Sequence, residues 1–302
     1  MIAPQEWEGC FTAVVTPFQE NGDLDIDAFK RNLDLLIQEG LDGAVIAGCT
    51  GESWMITNPE REKLFRIAVD TADGRCVIIG GPGQLTAADN IPFCRFAKDL
   101  GMDGVMLLPP PMVRPNVPEI LQFYRTINDA VDIPVLVYNN PRRQGVDLSP
   151  DTLAQLAELD NVVAVKEASK DFGRVSDVIH LLGGRIRIFG GHSSYQGVPT
   201  VIMGADGWVG SLDTQLLGEE AISMYRLVKD GRIEDAVRIQ YRCIAAEAAL
   251  KGDQSGTFPA GLKYAMNLRG RPGGYARLPI LPLTDEQKEY VEAALRGLNL
   301  IK

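Results

Sequence analysis

Apolar runs and helical segments alternate along the whole chain. Eight apolar runs begin about 20 to 35 residues apart, and each has the length of a buried strand. The segments between them have the length and the boundary signals of helices. In chain order the runs are CFTAVVTPF, AVIAGCT, CVIIGGPG, VMLLPPP, IPVLVYNNP, NVVAVKEAS, RIRIFGGHSS and WVGSLDT.

A four-residue pattern, Gly-x-Asp-Gly, precedes three of the runs, at 40–43, 101–104 and 204–207. Glycine commonly ends a helix in the left-handed conformation, and Asp-Gly turns the chain. The pattern therefore predicts the same helix-to-strand connection three times.

Capping residues predict where several helices begin. Asn58-Pro59 and Ser149-Pro150 each predict an N-cap followed by proline at the first helical position, and Thr86-Ala-Ala-Asp89 is a weaker signal of the same kind. A Thr284/Gln287 capping box predicts the start of the last helix. After the eighth run, helices are predicted at 217–229, 232–251, 258–269 and 285–297.

Eight strands alternating with helices predict an α/β fold, a (β/α)8 TIM barrel with a C-terminal helical extension. A doubly wound open sheet is the alternative. Residues 1–216 form the predicted barrel core. Residues 217–302 are predicted to be the last barrel helix and a helical extension packed on the barrel.

Composition and charge narrow the classes of protein that fit this fold. The 302 residues are 45% hydrophobic and 23% charged, and the formal net charge is −10. An acidic chain repels phosphate backbones and anionic lipid, so neither nucleic acid nor a membrane is an expected partner. The opening segment, MIAPQEWEG, has no basic stretch and no apolar core, so no signal peptide is expected. The expected location is cytoplasmic.

The sequence contains no motif typical of a metal site or of a dinucleotide-binding site. The five cysteines are far apart and never in a CxxC motif, and the histidines are two, His180 and His192. GGPG at 80–83 lacks the spacing of a dinucleotide fingerprint. No metal site and no cofactor are therefore expected.

A lysine interrupts the sixth run where an apolar residue is expected. Lys166 follows four apolar residues, 162–165, and a barrel strand ends at the active-site face. Strand alternation predicts that Lys166 shares a face with Val162 and Ala164, and that Glu167 lies on the opposite face. Burial favours the neutral amine, which is a nucleophile for a carbonyl group and forms an imine.

The pattern alone leaves other interpretations of this lysine open. Lys166 equally fits a side chain that extends out of the barrel mouth or pairs with an inward carboxylate. Lys263 is a competing amine, but PAGLKYAM predicts a helix, and the strand position is preferred.

Three motifs together resemble one known enzyme family. GCTGES at 48–53, YNNPRRQG at 138–145 and VAVKEAS at 163–169 are similar, in this order, to the dihydrodipicolinate synthase/N-acetylneuraminate lyase family, and the likeness covers nearly the whole chain. Members of that family are Schiff-base (β/α)8 enzymes that act on pyruvate and related 2-oxo acids. The resemblance implies that Lys166 forms the Schiff base and that Tyr138 shuttles protons to and from the substrate.

The resemblance also implies a set of substrate-binding residues. The loop of Cys49 and Thr50 is expected to hold the carboxylate of the 2-oxo acid through backbone N–H groups and the Thr50 hydroxyl. Arg143 stands where the synthases bind the carboxylate of their second substrate. His192 fits a substrate contact and equally fits a histidine at the barrel rim. The contacts expected at the ends of the seventh and eighth runs are Gly191, His192 and Val209.

Two features of the synthases are absent. The synthases carry a pair of threonines in the loop, and the first is Cys49 here. They also use a tyrosine lent by a neighbouring subunit, at the place of Pro111-Met112. In the synthases those hydroxyls form a proton relay with the catalytic tyrosine, whereas a thiol is a weak donor and a thioether is none.

The leading hypothesis is therefore an imine-forming lyase that cleaves, dehydrates or deaminates a pyruvate-like, hydroxylated or dicarboxylic 2-oxo acid. The alternative is 4-hydroxy-tetrahydrodipicolinate synthase, which condenses pyruvate with aspartate semialdehyde. A non-catalytic barrel that binds 2-oxo acids is the third possibility. The expected partners are a small-molecule 2-oxo acid and, from the resemblance, further copies of the chain in a dimer or homotetramer.

Overall fold

The computed structural model describes residues 1–81, 85–111, 113–250 and 252–302, and its centre is a closed barrel of eight parallel strands. Each strand pairs with the next along the chain, and the eighth closes the barrel by pairing with the first. The barrel prediction is confirmed, and the open sheet is wrong. The strands are β1 (Gly9–Ala13), β2 (Gly43–Ile46), β3 (Val77–Gly80), β4 (Gly104–Leu107), β5 (Val135–Asn139), β6 (Val162–Glu167), β7 (Arg187–Gly190) and β8 (Gly207–Gly210).

Helices connect the strands and continue beyond the last one. Three short 3-10 turns within the described ranges, Pro4–Glu6, Ser53–Met55 and Asp253–Ser255, accompany them. The helices are α1 (Ile26–Gln38), α2 (Asn58–Ala72), α3 (Ala87–Leu100), α4 (Val117–Ala130), α5 (Pro141–Gln144), α6 (Pro150–Leu156), α7 (Phe172–Leu182), α8 (Ser193–Ile202), α9 (Leu212–Leu217), α10 (Glu219–Lys229), α11 (Ile233–Ala249), α12 (Phe258–Leu268) and α13 (Asp285–Gly297). In the described part of the chain, no helix combines the length and the apolar character needed to cross a membrane.

The three Gly-x-Asp-Gly connections share one geometry. The glycine that ends the helix has a positive φ in all three, 93° at Gly40, 85° at Gly101 and 108° at Gly204. The aspartate of each connection accepts a backbone N–H from the preceding strand, which fastens the start of the new strand to its neighbour. These hydrogen bonds join Asp42 to Cys10 at 2.8 Å, Asp103 to Ile78 at 2.7 Å and Asp206 to Ile188 at 2.7 Å.

Most of the predicted helix starts are confirmed. Ser149 and Thr86 are N-caps, and Thr284 forms a capping box with Gln287. The prediction at Asn58 is wrong by one residue. Thr57 caps α2 instead, because its hydroxyl and the Glu60 carboxylate each bond to the other residue's backbone N–H.

The predicted single helix over 217–229 is wrong, because the chain forms two helices there. Gly218 separates α9 from α10 with φ 61° and ψ −131°, a conformation that glycine adopts and other residues avoid. The later three predictions match α11, α12 and α13 to within two residues over the described positions. The division proposed at 216/217 falls in the last turn of α9, whose Leu212 and Leu216 pack with the C-terminal helices.

Alternate strand positions fill the inside of the barrel, and the others pack against the helices. Trp7 belongs to the inner cluster and lies against the start of β4, where a Cβ on Gly104 would be 2.6 Å from the indole ring. The strand residues of the inner cluster include Phe11, Val45, Ile79, Met106, Leu136, Ala164, Phe189 and Val209.

The alternation along β6 differs from the prediction at one point. Ala164 lies in the inner cluster, as predicted, but Val162 packs in the outer cluster and Val163 packs against the inner one. The pairing with β5 explains the difference, since Val135 lies opposite Val162 while the next residue, Leu136, lies opposite Ala164. One residue of β6 is therefore extra, and the alternation is regular only beyond it.

Candidate active site

Strands β5 and β6 bring Tyr138 and Lys166 together at their carboxyl ends. The two residues lie directly opposite each other in the parallel pairing. Both side chains point into the barrel, on the same face as Leu136 and Ala164. The Nζ atom of Lys166 lies 4.3 Å from the centroid of the Tyr138 ring.

Burial makes the amine of Lys166 a nucleophile near neutral pH. It lowers the pKa of Lys166 from 10.5 to about 8; the neighbouring Cys49 raises this pKa, and the guanidinium of Arg143 lowers it further. With a pKa of about 8, roughly a tenth of the amine is neutral at pH 7, whereas an ordinary lysine has less than about a thousandth in that form. Glu167 does not hold this charge: its carboxylate accepts from Asn139 Nδ2 at 2.8 Å, on the other face of β6.

The hydroxyl of Tyr138 contacts two side chains. Asn140 Nδ2 donates to it at 2.8 Å, and Cys49 lies close enough to raise the pKa of Tyr138. Burial, followed by the nearby Cys49, raises the pKa of Tyr138 well above its usual range, while Asn140 and Arg143 act in the opposite direction. The phenol is therefore protonated at neutral pH and is an acid beside the Lys166 amine.

The loop after β2 is held in an uncommon backbone conformation. Ala47 and Glu52, on either side of its Gly48-Cys49-Thr50-Gly51 stretch, have φ angles of 56° and 55°, where residues other than glycine are rare. Such strain persists only where the surroundings fix it. Here Thr16 Oγ1 donates to the Gly51 carbonyl at 2.7 Å, and the Glu52 carboxylate forms a buried ion pair with Lys263.

A cavity of about 420 Å³ opens at the carboxyl ends of the strands, a size suited to a small molecule. The eight site residues predicted from the sequence all line it, although their catalytic and binding roles stay predictions. They are Cys49, Thr50, Tyr138, Arg143, Lys166, Gly191, His192 and Val209.

The segment after β7 forms one wall of this cavity. The N–H of Gly191 donates to the Glu167 carbonyl at 2.7 Å, and a Cβ at position 191 would lie 2.2 Å from the Cβ of Ala168. Only glycine therefore fits there without movement of β6. Burial, together with the charge of Lys170, lowers the pKa of His192 from 6.5 to about 4, so its imidazole is neutral at pH 7.

Comparison with known proteins gives the family. The model of the dihydrodipicolinate synthetase family matches residues 6–298. This chain belongs to that family. It is therefore an enzyme, a lyase of the Schiff-base aldolase type, and the non-catalytic barrel considered from the sequence is wrong.

Relatives within the dihydrodipicolinate synthetase family match the chain from end to end. The 4-hydroxy-tetrahydrodipicolinate synthase of Oceanobacillus iheyensis is 33% identical and covers 94% of this chain and 95% of the relative. The 4-hydroxy-tetrahydrodipicolinate synthase of Methanothrix thermoacetophila is 34% identical over 97% of this chain and 96% of that relative. The crystal structure of dihydrodipicolinate synthase from Aquifex aeolicus is similar with a TM-score of 0.89 at 28% identity, over 97% of this chain and 99% of that one.

Several residues in the cavity of this family member were missed from the sequence. Asn140 had a usable signal, because it lies two positions after Tyr138 and so on the same face. The others come from loops or from helices that the strand pattern does not place at the barrel mouth. The missed residues include Asn140, Arg142, Lys170, Asp213, Glu247 and Phe258.

The competing amine, Lys263, has a different environment. It lies on α12, as predicted, and donates to the carbonyls of Thr16 at 2.6 Å and Tyr275 at 2.8 Å besides its ion pair with Glu52. It does not line the cavity. Met112, compared above with a relay tyrosine of the family, lies outside the described residues. Within the described ranges, no three His, Cys, Asp or Glu side chains are grouped as metal ligands.

Proposed function

We propose that this lyase forms an imine between Lys166 and pyruvate or a related 2-oxo acid. The observation that carries the proposal is the pair of Lys166 and Tyr138, a buried amine whose pKa is lowered to about 8 and a protonated phenol whose ring is 4.3 Å away. Imine formation requires a nucleophile and, beside it, a proton donor.

The proposed reaction uses both groups in turn. The neutral amine of Lys166 attacks C2 of the 2-oxo acid, and the carbinolamine loses water after its hydroxyl receives the Tyr138 proton. The Tyr138 phenolate then takes a C3 proton from the iminium, which restores the phenol and gives an enamine whose C3 is a carbon nucleophile. The hydroxyl of Thr50 and the backbone of its loop are proposed to hold the substrate carboxylate.

For the overall reaction, we propose the condensation of pyruvate with aspartate semialdehyde. The name 4-hydroxy-tetrahydrodipicolinate synthase on relatives about a third identical over nearly the whole chain supports it better than the cleavage reactions that the sequence favoured. In this reaction the enamine carbon attacks the aldehyde carbon, and the new alkoxide takes up a proton. Arg143, which lines the cavity, is proposed to bind the carboxylate of the second substrate.

Cleavage, dehydration or deamination of a hydroxylated 2-oxo acid is the second candidate, and two observations favour it. The neighbour of Tyr138 on the loop after β2 is Cys49, whose thiol is a weak proton donor. Asp213, which lines the cavity, is buried, and its Oδ2 has no hydrogen-bond partner among the described residues. A substrate hydroxyl would satisfy such an oxygen.

Trapping tests the imine. Incubation with pyruvate and borohydride should add one reduced adduct, which peptide mass spectrometry should locate on Lys166. Lys166→Met should lose the adduct while its thermal unfolding stays cooperative. Lys170→Met removes another lysine of the same cavity and should keep the adduct. An adduct on Lys170 or Lys263 in the wild-type chain would contradict the proposal.

Turnover assays separate the two candidate reactions. The chain should consume pyruvate and aspartate semialdehyde together, and Arg143→Ala should raise KM for the semialdehyde roughly 10- to 100-fold, the range expected for a lost charge-assisted contact. The C3 hydrogen exchange of pyruvate alone should change much less in that variant, because Arg143 is the smallest of the causes that shift the pKa of Lys166. No condensation, combined with turnover of a hydroxylated 2-oxo acid, would favour the second candidate.

A homo-oligomer, a dimer or tetramer, and a cytoplasmic location are also proposed. The family membership supports an oligomer, although one solved relative is described as a monomeric variant. Sedimentation velocity at several protein concentrations should give a species of two or four chains, and a monomer throughout would contradict this.

A further inference from the structure

Asn140 lies where β5 passes into α5, two residues after Tyr138. An asparagine at a helix start usually caps it by accepting a backbone N–H. Residue 140 is the N-cap of α5, but its side chain makes no capping hydrogen bond. The amide lines the cavity instead, and its Nδ2 donates to the Tyr138 hydroxyl at 2.8 Å.

The surrounding hydrogen bonds fix this contact. The carbonyl of Asn140 accepts from the backbone N–H groups of Arg143 and Gln144, both at 3.1 Å. Gln144 reaches back in turn, with Oε1 accepting from the Asn140 N–H at 3.4 Å and Nε2 donating to the Tyr138 carbonyl at 3.5 Å. Asn140 and Tyr138 are only 8% and 5% exposed, so their hydrogen bond is shielded from water.

A phenol that shuttles protons must pass through a phenolate. Burial raises the pKa of Tyr138 well above its usual range, so the phenolate is costly in this site. A donor to the phenol oxygen stabilises the phenolate more than the phenol, because hydrogen bonds to charged groups are stronger. The Nδ2–H of Asn140 is such a donor and lowers the pKa of Tyr138, whereas the neighbouring Cys49 raises it and so disfavours the phenolate.

We propose that Asn140 is a positioning residue that orients the Tyr138 hydroxyl and stabilises its phenolate whenever Tyr138 gives its proton to the substrate. The phenol oxygen is the acceptor in the contact with Asn140, so the hydroxyl proton itself is left free for transfer. It returns to the same oxygen in the reverse step, and Asn140 neither gains nor loses a proton. This inference rests on the imine chemistry proposed for Lys166.

A double-mutant cycle tests this role. Asn140→Leu keeps a similar volume and removes the donor, and α5 loses no cap because the side chain makes no capping bond. The measured rate is the exchange of the C3 hydrogens of pyruvate in D₂O, followed by NMR, which needs the imine and a proton transfer but no second substrate. Asn140→Leu should lower kcat for exchange roughly 10- to 100-fold with little change in KM, the loss expected for one hydrogen bond to a charged group.

The same substitution in a Tyr138→Phe chain should change the remaining rate by less than about twofold, because Asn140 then has no hydroxyl to act on. An equal loss in both backgrounds would show that Asn140 contacts the substrate or supports the fold, and would overturn the inference. Asn140→Asp provides a second variant of the same shape, whose carboxylate lacks the donor. It should lose exchange at pH 7 as the leucine variant does, and full activity would also overturn the role.

The cycle also separates this inference from the proposed function. If the wild-type chain neither traps pyruvate on Lys166 nor exchanges its C3 hydrogens, the imine chemistry fails and the role of Asn140 falls with it. If the wild-type chain does both and Asn140→Leu equals it, only the role of Asn140 is overturned.

Discussion

At the scale of single residues, two buried lysines show that a lowered pKa does not by itself identify the lysine proposed to form the imine. Burial lowers the pKa of both Lys166 and Lys263 from 10.5 to about 8. Lys263 has an ion-pair partner and two carbonyl acceptors and does not line the cavity. Lys166 lines the cavity with its amine over the ring of Tyr138. Access to the cavity and the absence of a carboxylate partner for its amine among the described residues distinguish Lys166.

The lowered pKa of Lys166 predicts how imine formation depends on pH. The ammonium form cannot attack a carbonyl, so the rate should rise about tenfold per pH unit below pH 8 and level off above it, given a pKa of about 8. The burial of Tyr138 raises the pKa of that residue, so the phenol stays protonated across this range. Borohydride trapping at short times, from about pH 6 to about pH 10, measures the rate. A rate still rising steeply at pH 10 would indicate an ordinary lysine and contradict the assignment.

At the scale of secondary-structure elements, much of the fold could be predicted because local signals agree with it. Apolar runs, left-handed glycines and capping residues gave the strand order and most helix starts. The extra residue of β6 was missed because it depends on the pairing between Val135 and Val162 on neighbouring strands. The split of the predicted helix at Gly218 was missed because an isolated glycine in a helical pattern does not reveal its φ and ψ angles. Strand ends and the family resemblance together predicted eight cavity residues, whereas Asp213, Glu247 and Phe258 depend on how α9, α11 and α12 pack.

The contact between β6 and β7 gives a prediction at this scale. Gly191→Ala would place a Cβ 2.2 Å from the Cβ of Ala168 and 2.9 Å from the Glu167 carbonyl. Both belong to the chain just after Lys166, so the clash should lower the free energy of unfolding by about 1–3 kcal/mol and also slow pyruvate trapping. Urea denaturation and the trapping rate measure the two effects.

Two further variants test whether the clash with Ala168 causes the loss of stability in Gly191→Ala. Gly297→Ala adds a Cβ that meets nothing within 4 Å and should leave stability unchanged or slightly raised. Ala168→Gly in the Gly191→Ala chain removes the atom of closest contact and should restore part of the stability. If the double variant is no more stable than Gly191→Ala alone, the contact with Ala168 does not cause the loss of stability.

At the scale of the whole molecule, the C-terminal helices form part of the wall of the candidate active-site cavity. Glu247 of α11 and Phe258 of α12 line the cavity with the strand ends. Lys263 of α12 binds the carbonyl of Thr16 after β1 and the carboxylate of Glu52 after β2. Two further ion pairs tie the later chain to the barrel helices, Arg271 to Glu39 at 2.6 Å and Arg277 to Glu60 at 2.6 Å. The proposed unit of residues 217–302, the last barrel helix and the helical extension, thus supports the loop that carries Cys49 and Thr50.

The buried pair of Lys263 and Glu52 predicts how strongly stability depends on this link. Lys263→Met keeps the apolar stem and leaves the Glu52 carboxylate without its cation, which should lower the free energy of unfolding by about 3–5 kcal/mol in urea denaturation. Glu52→Gln in the same chain removes the buried charge, so the double variant should be more stable than Lys263→Met alone.

Arg185→Met is the matched control, because it breaks the exposed ion pair with Glu158 and should lower the free energy of unfolding by less than about 1 kcal/mol. If Lys263→Met costs no more than Arg185→Met, the ion pair does not hold the extension against the barrel. In that case the loop before Glu52 must depend on other contacts, such as the Thr16 hydrogen bond to Gly51.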